Sequence, residues 1–214
     1  MTPERFCTEI PQRMMSLLDA MLPIALKHDL TTSMALMVAM PLLMIPLERT
    51  NTKRGEPANV INDVRGSSSF VTALRELKNR PFYEAFLPRP EQLILWRYLE
   101  IGNNIDHPSE WRDALDRHPL RPGAQNEIKE QDAENILLTL RHALAHGNVV
   151  YLNEDGYEAP GRRVTHLAFV SEGRPRTNAY RVLIVEENAF IEFLRTWAQW
   201  VSKFNLGTSL RRAA

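Results

Sequence analysis

The chain has 214 residues, 44% of them hydrophobic and 24% charged, enough for an ordinary globular domain to bury a core without staples. Its 26 basic and 26 acidic side chains cancel, which excludes a protein that coats itself in nucleic acid and leaves such contact to a local patch. Cys7 is the single cysteine, so neither an intrachain disulfide nor a cysteine metal cage can form, as suits a reducing cytoplasm.

Residues 4–28 read as a helix, with Ile10, Met14, Leu17, Leu18, Met21 and Leu22 near helical spacing and Pro11 marking its start or a kink. Glu4 and Glu9 stand where the basic and apolar parts of a secretory leader would begin, so no leader is expected. A second helix is expected over 32–47, capped by Asp29 or Thr31 and bent at Pro41. Its core, Met34–Leu47, is wholly apolar. At 14 residues it falls short of the ~20 that span a bilayer, and it lacks the charged face of a membrane-surface helix. A buried core helix is the expectation, with no membrane partner. Residues 50–66 are a polar loop, after which Ser67–Ser69 cap a short helix carrying Phe70, Leu74 and Leu77. A further helix is expected from Pro90 to Ile101 on the weight of Leu93, Leu95, Trp96 and Leu99. A short helical segment follows from Ser109 to Asp116, then a loop over 117–127.

Residues 129–146 then show strong helical periodicity and end in Leu140-Arg141-His142-Ala143-Leu144-Ala145-His146-Gly147-Asn148. At roughly 100° per residue, Ala133, Leu137, Leu140 and Leu144 share one face, and Glu134, Asn135, Arg141, His142 and His146 fan across the other. Gly147 is the usual stop just past a helix end. Beyond it, 148–153, 163–171 and 180–186 are rich in Val, Leu, Ile, Tyr and Phe. Asn153-Glu154-Asp155-Gly156 and Glu172-Gly173-Arg174-Pro175 separate them, which predicts a three-stranded antiparallel meander. A closing helix over 188–206 carries Phe190, Phe193, Leu194, Trp197, Trp200, Val201 and Phe204 mostly on one face. The fold class is therefore mainly α: one domain over 1–214 with the meander (148–186) inserted before the last helix. Residues 1–50 form either part of the bundle or an additional arm.

Arg141 and His146 present a permanent guanidinium beside a titratable imidazole, a pair suited to taking a proton and holding an anionic phosphorus centre. Plainer roles are open to each. His146 would favour the negative end of the helix dipole, and Arg141 would pair with Glu134, one heptad back. His142 and His146 stand at i and i+4, a spacing that binds one metal when a third ligand exists; the sequence nominates none, and no cofactor is expected. Arg162, Arg163, Arg174, Arg176 and Arg181, opposed only by Glu172, are a candidate basic patch for RNA or a solvated charged hairpin.

Arg141 and His146 with four residues between them, His142 in the polar slot after the arginine, and Gly147 ending the helix resemble the signature of the HEPN superfamily. The strands and final helix downstream look like a bacterial, plasmid-borne branch of it. The resemblance covers about 129–206; residues 1–128 match as a generic set of helices. It implies a bundle of four or more helices, commonly dimeric, with two motif helices facing across a cleft. Active members are metal-independent endoribonucleases, many of them toxins in toxin–antitoxin or antiviral systems. Arg141 and His146 would then be the catalytic pair and His142 an auxiliary residue. Glu134 and Asn135 join them on helical geometry, and Asn148 by its proximity to His146. The neutral chain points to a selected RNA such as a tRNA loop, with a homodimer and an antitoxin or regulatory protein as partners. An alternative is a HEPN-like dimer without catalysis that binds RNA, nucleotide or protein. A metal-dependent hydrolase using His142 and His146 is a third reading.

Overall fold

The computed structural model describes residues 6–50, 68–87, 89–102, 126–154, 156, 158, 161–173 and 179–204. The expected cap at Ser67, the helical segment 109–116 and most of the loops at 50–66 and 117–127 lie outside those residues. The chain gathers into two compact units. One joins the described residues up to Leu77 to those from Ile191 onward, and the other is Lys78–Phe190.

In the first unit, α1 spans Phe6–Lys27 with Pro11 and Pro23 inside it, so Pro11 does not mark the start of the helix. Cys7, Leu18 and Ala25 form its buried side. Asp29 adopts φ 54° and turns the chain back into α2, Thr31–Ala39. The residue at the cap position of α2 is Leu30, with no side-chain cap bond. Neither Asp29 nor Thr31 caps it, because the turn is made by backbone and Thr31 is buried. The expected bend at Pro41 is a π turn, Met40–Met44, leading into α3, Ile45–Thr50. Proline returns no N–H to the preceding turn, so Pro46 leaves the Leu42 carbonyl without its usual i+4 donor. The Trp197 indole N–H donates to that carbonyl at 2.8 Å. Thr31–Glu48 has the apolar length of a membrane span, yet 56% of it is buried inside the protein, as in a core helix. Phe70 on α4 (Ser68–Lys78) lies 5.9 Å from Trp200 and 5.2 Å from Phe204, centroid separations at which rings attract beyond simple burial.

The second unit holds the sheet, where the structure corrects one expectation. Residues 90–101 are not a helix. Pro90–Leu95 is a 3₁₀ turn, and Trp96–Gly102 is a strand, β1. With β2 (Val149–Leu152), β3 (His166–Glu172) and β4 (Ala179–Glu186), it makes a four-stranded antiparallel sheet ordered β1-β4-β3-β2, one strand more than the meander. The leucines at 93 and 95 sit on the 3₁₀ turn, so their apparent continuity with Leu99 misled the helical reading. Pairing with β4 over seven residues, Trp96↔Val185 to Gly102↔Ala179, decides the matter. Leu99 and Ile101 then join Val150, Leu152, Ala168, Val182 and Ile184 in one buried cluster, while Trp96 and Tyr98 point the other way.

The outer edge of β1 is closed by a side chain. The Asn126 amide oxygen accepts from Tyr98 N at 3.2 Å and Ile128 N at 3.1 Å, and its NH₂ donates to Trp96 O at 3.0 Å. It thus satisfies backbone groups that an edge strand would otherwise present unpaired. Helix α5, Phe82–Phe86, packs Phe82 on Trp96 at 5.1 Å. The segment before it holds the start of α6, Ala133–His146, through Ala133 N→Arg80 O and Phe82 N→Gln131 O, both 2.9 Å. The last helix, α7, runs Glu187–Ser202.

Candidate functional site

Helix α6 carries every residue of the motif up to His146, and its own chemistry defines both ends. Asp132 caps the start, its carboxylate accepting from Asn135 N at 2.7 Å. At the other end Gly147 adopts φ 70° and ψ 18°. The N–H groups of Gly147 and Asn148 both turn back to the Ala143 carbonyl, satisfying an acceptor that the helix end would leave open. Burial follows the sequence periodicity: Ala133, Ile136, Leu137, Thr139, Leu140, Ala143 and Leu144 are inside. Arg141, His142 and Asn135 are half-buried, and Glu134, His146 and Asn148 are exposed.

The structure joins Arg141 to His142. Arg141 Nη1 lies 3.1 Å from His142 Nε2. A guanidinium has no acceptor, so Arg141 donates and Nε2 accepts in this hydrogen bond. His146, one helical turn on, is exposed at the helix end, and among the described residues no side-chain hydrogen bond holds it. The helix end therefore offers an arginine fork, a half-buried imidazole and an exposed imidazole together.

Two residues of the same face are engaged elsewhere. Glu134 is 3.5 Å from Lys78 Nζ, which is the partner shown for it in place of Arg141. The Asn135 amide donates to Gln131 Oε1 and, at 3.0 Å, to the Tyr98 hydroxyl, which donates in turn to Glu100 Oε1 at 3.1 Å. Burial, as the largest cause, raises the Tyr98 hydroxyl well above its ordinary value, so it stays protonated and keeps donating. Asn135 thus ties the helix to β1. Asn148 contributes backbone, its carbonyl accepting from Val170 N at 3.0 Å.

The basic patch divides. Arg162 and Arg163 are exposed. Arg181 departs from the patch because it is buried on β4 opposite Glu100 of β1. It is 9% exposed, its Nε 3.9 Å from Glu100 Oε1 and without a hydrogen-bond partner. Arg174 and Arg176 lie outside the described residues. Among the described residues no three His, Cys, Asp or Glu side chains gather as a metal-holding group.

The chain matches a family model described as HEPN pEK499 p136 over residues 1–206. It is a HEPN protein. The match runs through the N-terminal helices as well, where periodicity alone gave only generic helices. No curated protein and no solved structure matches the chain. HEPN membership points to a nuclease or RNA-related role in general. Within this HEPN chain, the sequence did not single out Tyr98, Glu100 or Tyr151. Tyr151 carried no signal in an unbroken apolar run, and only the burial of Val150 and Leu152 in the folded strand turns it outward.

Proposed function

We propose that this HEPN protein is a metal-independent endoribonuclease that cleaves RNA through the RNA's own 2′-OH. The observation that carries this reading is the 3.1 Å Arg141–His142 contact beside an exposed His146 at one helix end. His146 takes the proton of the 2′-OH, since an imidazole titrates near neutral pH. The 2′-oxygen forms a bond to the adjacent phosphorus, and the bond from phosphorus to the 5′-oxygen breaks. Arg141 turns its fork to the nonbridging oxygens as their charge grows. The departing 5′-oxygen picks up a proton from an acid, either solvent or the histidine of a second chain whose motif helix faces the first. The products are a 2′,3′-cyclic phosphate and a 5′-hydroxyl, and His142 and Asn148 support the pair.

The biological setting we infer is a toxin–antitoxin or phage-defence system in the cytoplasm. The enzyme acts there as a homodimer on a selected RNA such as a tRNA, held in check by an antitoxin or regulatory protein. The test is incubation of wild type and His146→Ala with total tRNA and a structured RNA in EDTA, with the fragment ends mapped. Cleavage by wild type leaving cyclic phosphate is expected, falling roughly 10²-fold or more in the variant, the scale of general acid–base catalysis. The melting temperature should not change, because His146 is exposed. Full activity in a clean His146→Ala preparation sinks the proposal. Absence of cleavage by either protein, with RNA still bound, moves the assignment to a binding module.

A further inference from the structure

A cup of about 420 Å³ lies beside strand β2, lined by Tyr151, Asn153, Glu158, Arg162 and Arg163 among others. Its volume falls in the range of small-ligand sites, ~300–1,000 Å³. Strand β2 pairs only with β3 and so forms an edge of the sheet. Val150 and Leu152 are buried, which leaves Tyr151 facing outward with 45% of its surface exposed. Leu152, which also lines the cup, is held by its pairing with His166 and by Thr165 N, which donates to Leu152 O at 2.9 Å. Gly161, at φ 76°, directly precedes Arg162 and Arg163, and all three line the cup.

We infer that this cup is a binding site for an unpaired ribonucleotide of RNA. Its base stacks on Tyr151 and its phosphate is held by Arg162 and Arg163. The chemistry of the lining orients the guest. Every base has a face that stacks on an aromatic ring, and an exposed tyrosine on a rigid strand is such a platform. Two adjacent guanidiniums supply the fork geometry that matches a phosphate. Glu158 repels phosphate and accepts from an amino group on the base edge, so base and phosphate take opposite ends of the cup. The site also lies near the motif. Tyr151 stands five positions after His146, a chain reach of at most ~18 Å, so one strand of RNA can occupy both. Recognition of an unpaired base in this cup gives a neutral protein a means of choosing its RNA without a basic surface.

The reading needs RNA to bind and does not need it to be cut, so it fails or stands apart from the ribonuclease proposal. The full-length chain carrying His146→Ala is titrated with a fluorescent eight-nucleotide single-stranded RNA in EDTA and followed by anisotropy. Adding Tyr151→Ala should weaken binding roughly 5- to 150-fold, the range for losing one base–aromatic stack, while Tyr151→Phe stays near the parent. The double variant Arg162→Ala/Arg163→Ala should weaken binding and lower the salt slope by about 0.7, the share of one phosphate on a single strand. It also serves as the test should Tyr151→Ala fold poorly. Binding that is absent, or unmoved by both the alanine variants, overturns the inference. Ribonucleoside 5′-monophosphates binding as tightly as the oligomer would overturn RNA as the occupant in favour of a free nucleotide.

Discussion

Gly147 shows how one residue sets the geometry of the motif. Its φ of 70° is open to glycine at no cost, and nothing lies within 4 Å of the place a Cβ would take, so only backbone strain opposes a side chain there. Gly147→Ala should cost about 1–2 kcal/mol, read as a fall of a few degrees in melting temperature. Gly147→Asn should lose less, because asparagine tolerates this region. Tyr98 makes a second prediction. Its raised hydroxyl value means the stability it contributes is complete below the ordinary tyrosine value near ~10 and is lost as pH climbs above it. Wild type should therefore lose stability in the alkaline range more steeply than Tyr98→Phe, measured by chemical denaturation from about pH 8 to 11, a window around the ordinary tyrosine value. Equal slopes would show that the hydroxyl is not buried as described. The motif residues were legible in the sequence because Arg141, His142 and His146 are consecutive-turn neighbours on one helix. The Asn135–Tyr98–Glu100 chain was not, since Asn135 meets Tyr98 only when α6 comes beside β1, a pairing of residues 37 positions apart.

At the scale of elements, α6 is held in place by packing. Leu140 is fully buried on the face away from Arg141 and His142. Leu140→Ala should destabilise by about 2–5 kcal/mol through the cavity it leaves, whereas a change at exposed Ala145 should stay within ~0.5 kcal/mol. Urea titration distinguishes them, and a similar cost at both sites would overturn the assignment of faces. The helical periodicity of 133–146 was readable because burial there follows the helical period. The last two strands, buried on consecutive residues, were readable as apolar runs bounded by turn residues. Strand β1 was not, because its preceding 3₁₀ turn is also apolar and Ile94 is 73% exposed. Leucines there carried no periodic information. The π turn was half readable: Pro41 announced a bend but not its kind.

For the whole molecule, charge balance governs how RNA is met. With 26 acidic and 26 basic side chains there is no long-range attraction, and three arginines, Arg141, Arg162 and Arg163, carry the proposed phosphate contacts. The logarithm of affinity for single-stranded RNA should fall against the logarithm of salt with a slope of about −1.4, two phosphates at ~0.7 each. A slope twice as steep would mean that other basic residues take part. The hydrogen bond from Trp197 to Leu42 has a different kind of consequence. The indole answers a carbonyl left open only because residue 46 is a proline, so the worth of each side chain depends on the other. Over evolutionary time, replacing Pro46 with a residue that has an N–H would release position 197 from needing an indole. Losing the indole first would leave a buried carbonyl unanswered. The order of mutations is thereby constrained, and these distant positions should drift as a linked pair across descendants of this chain.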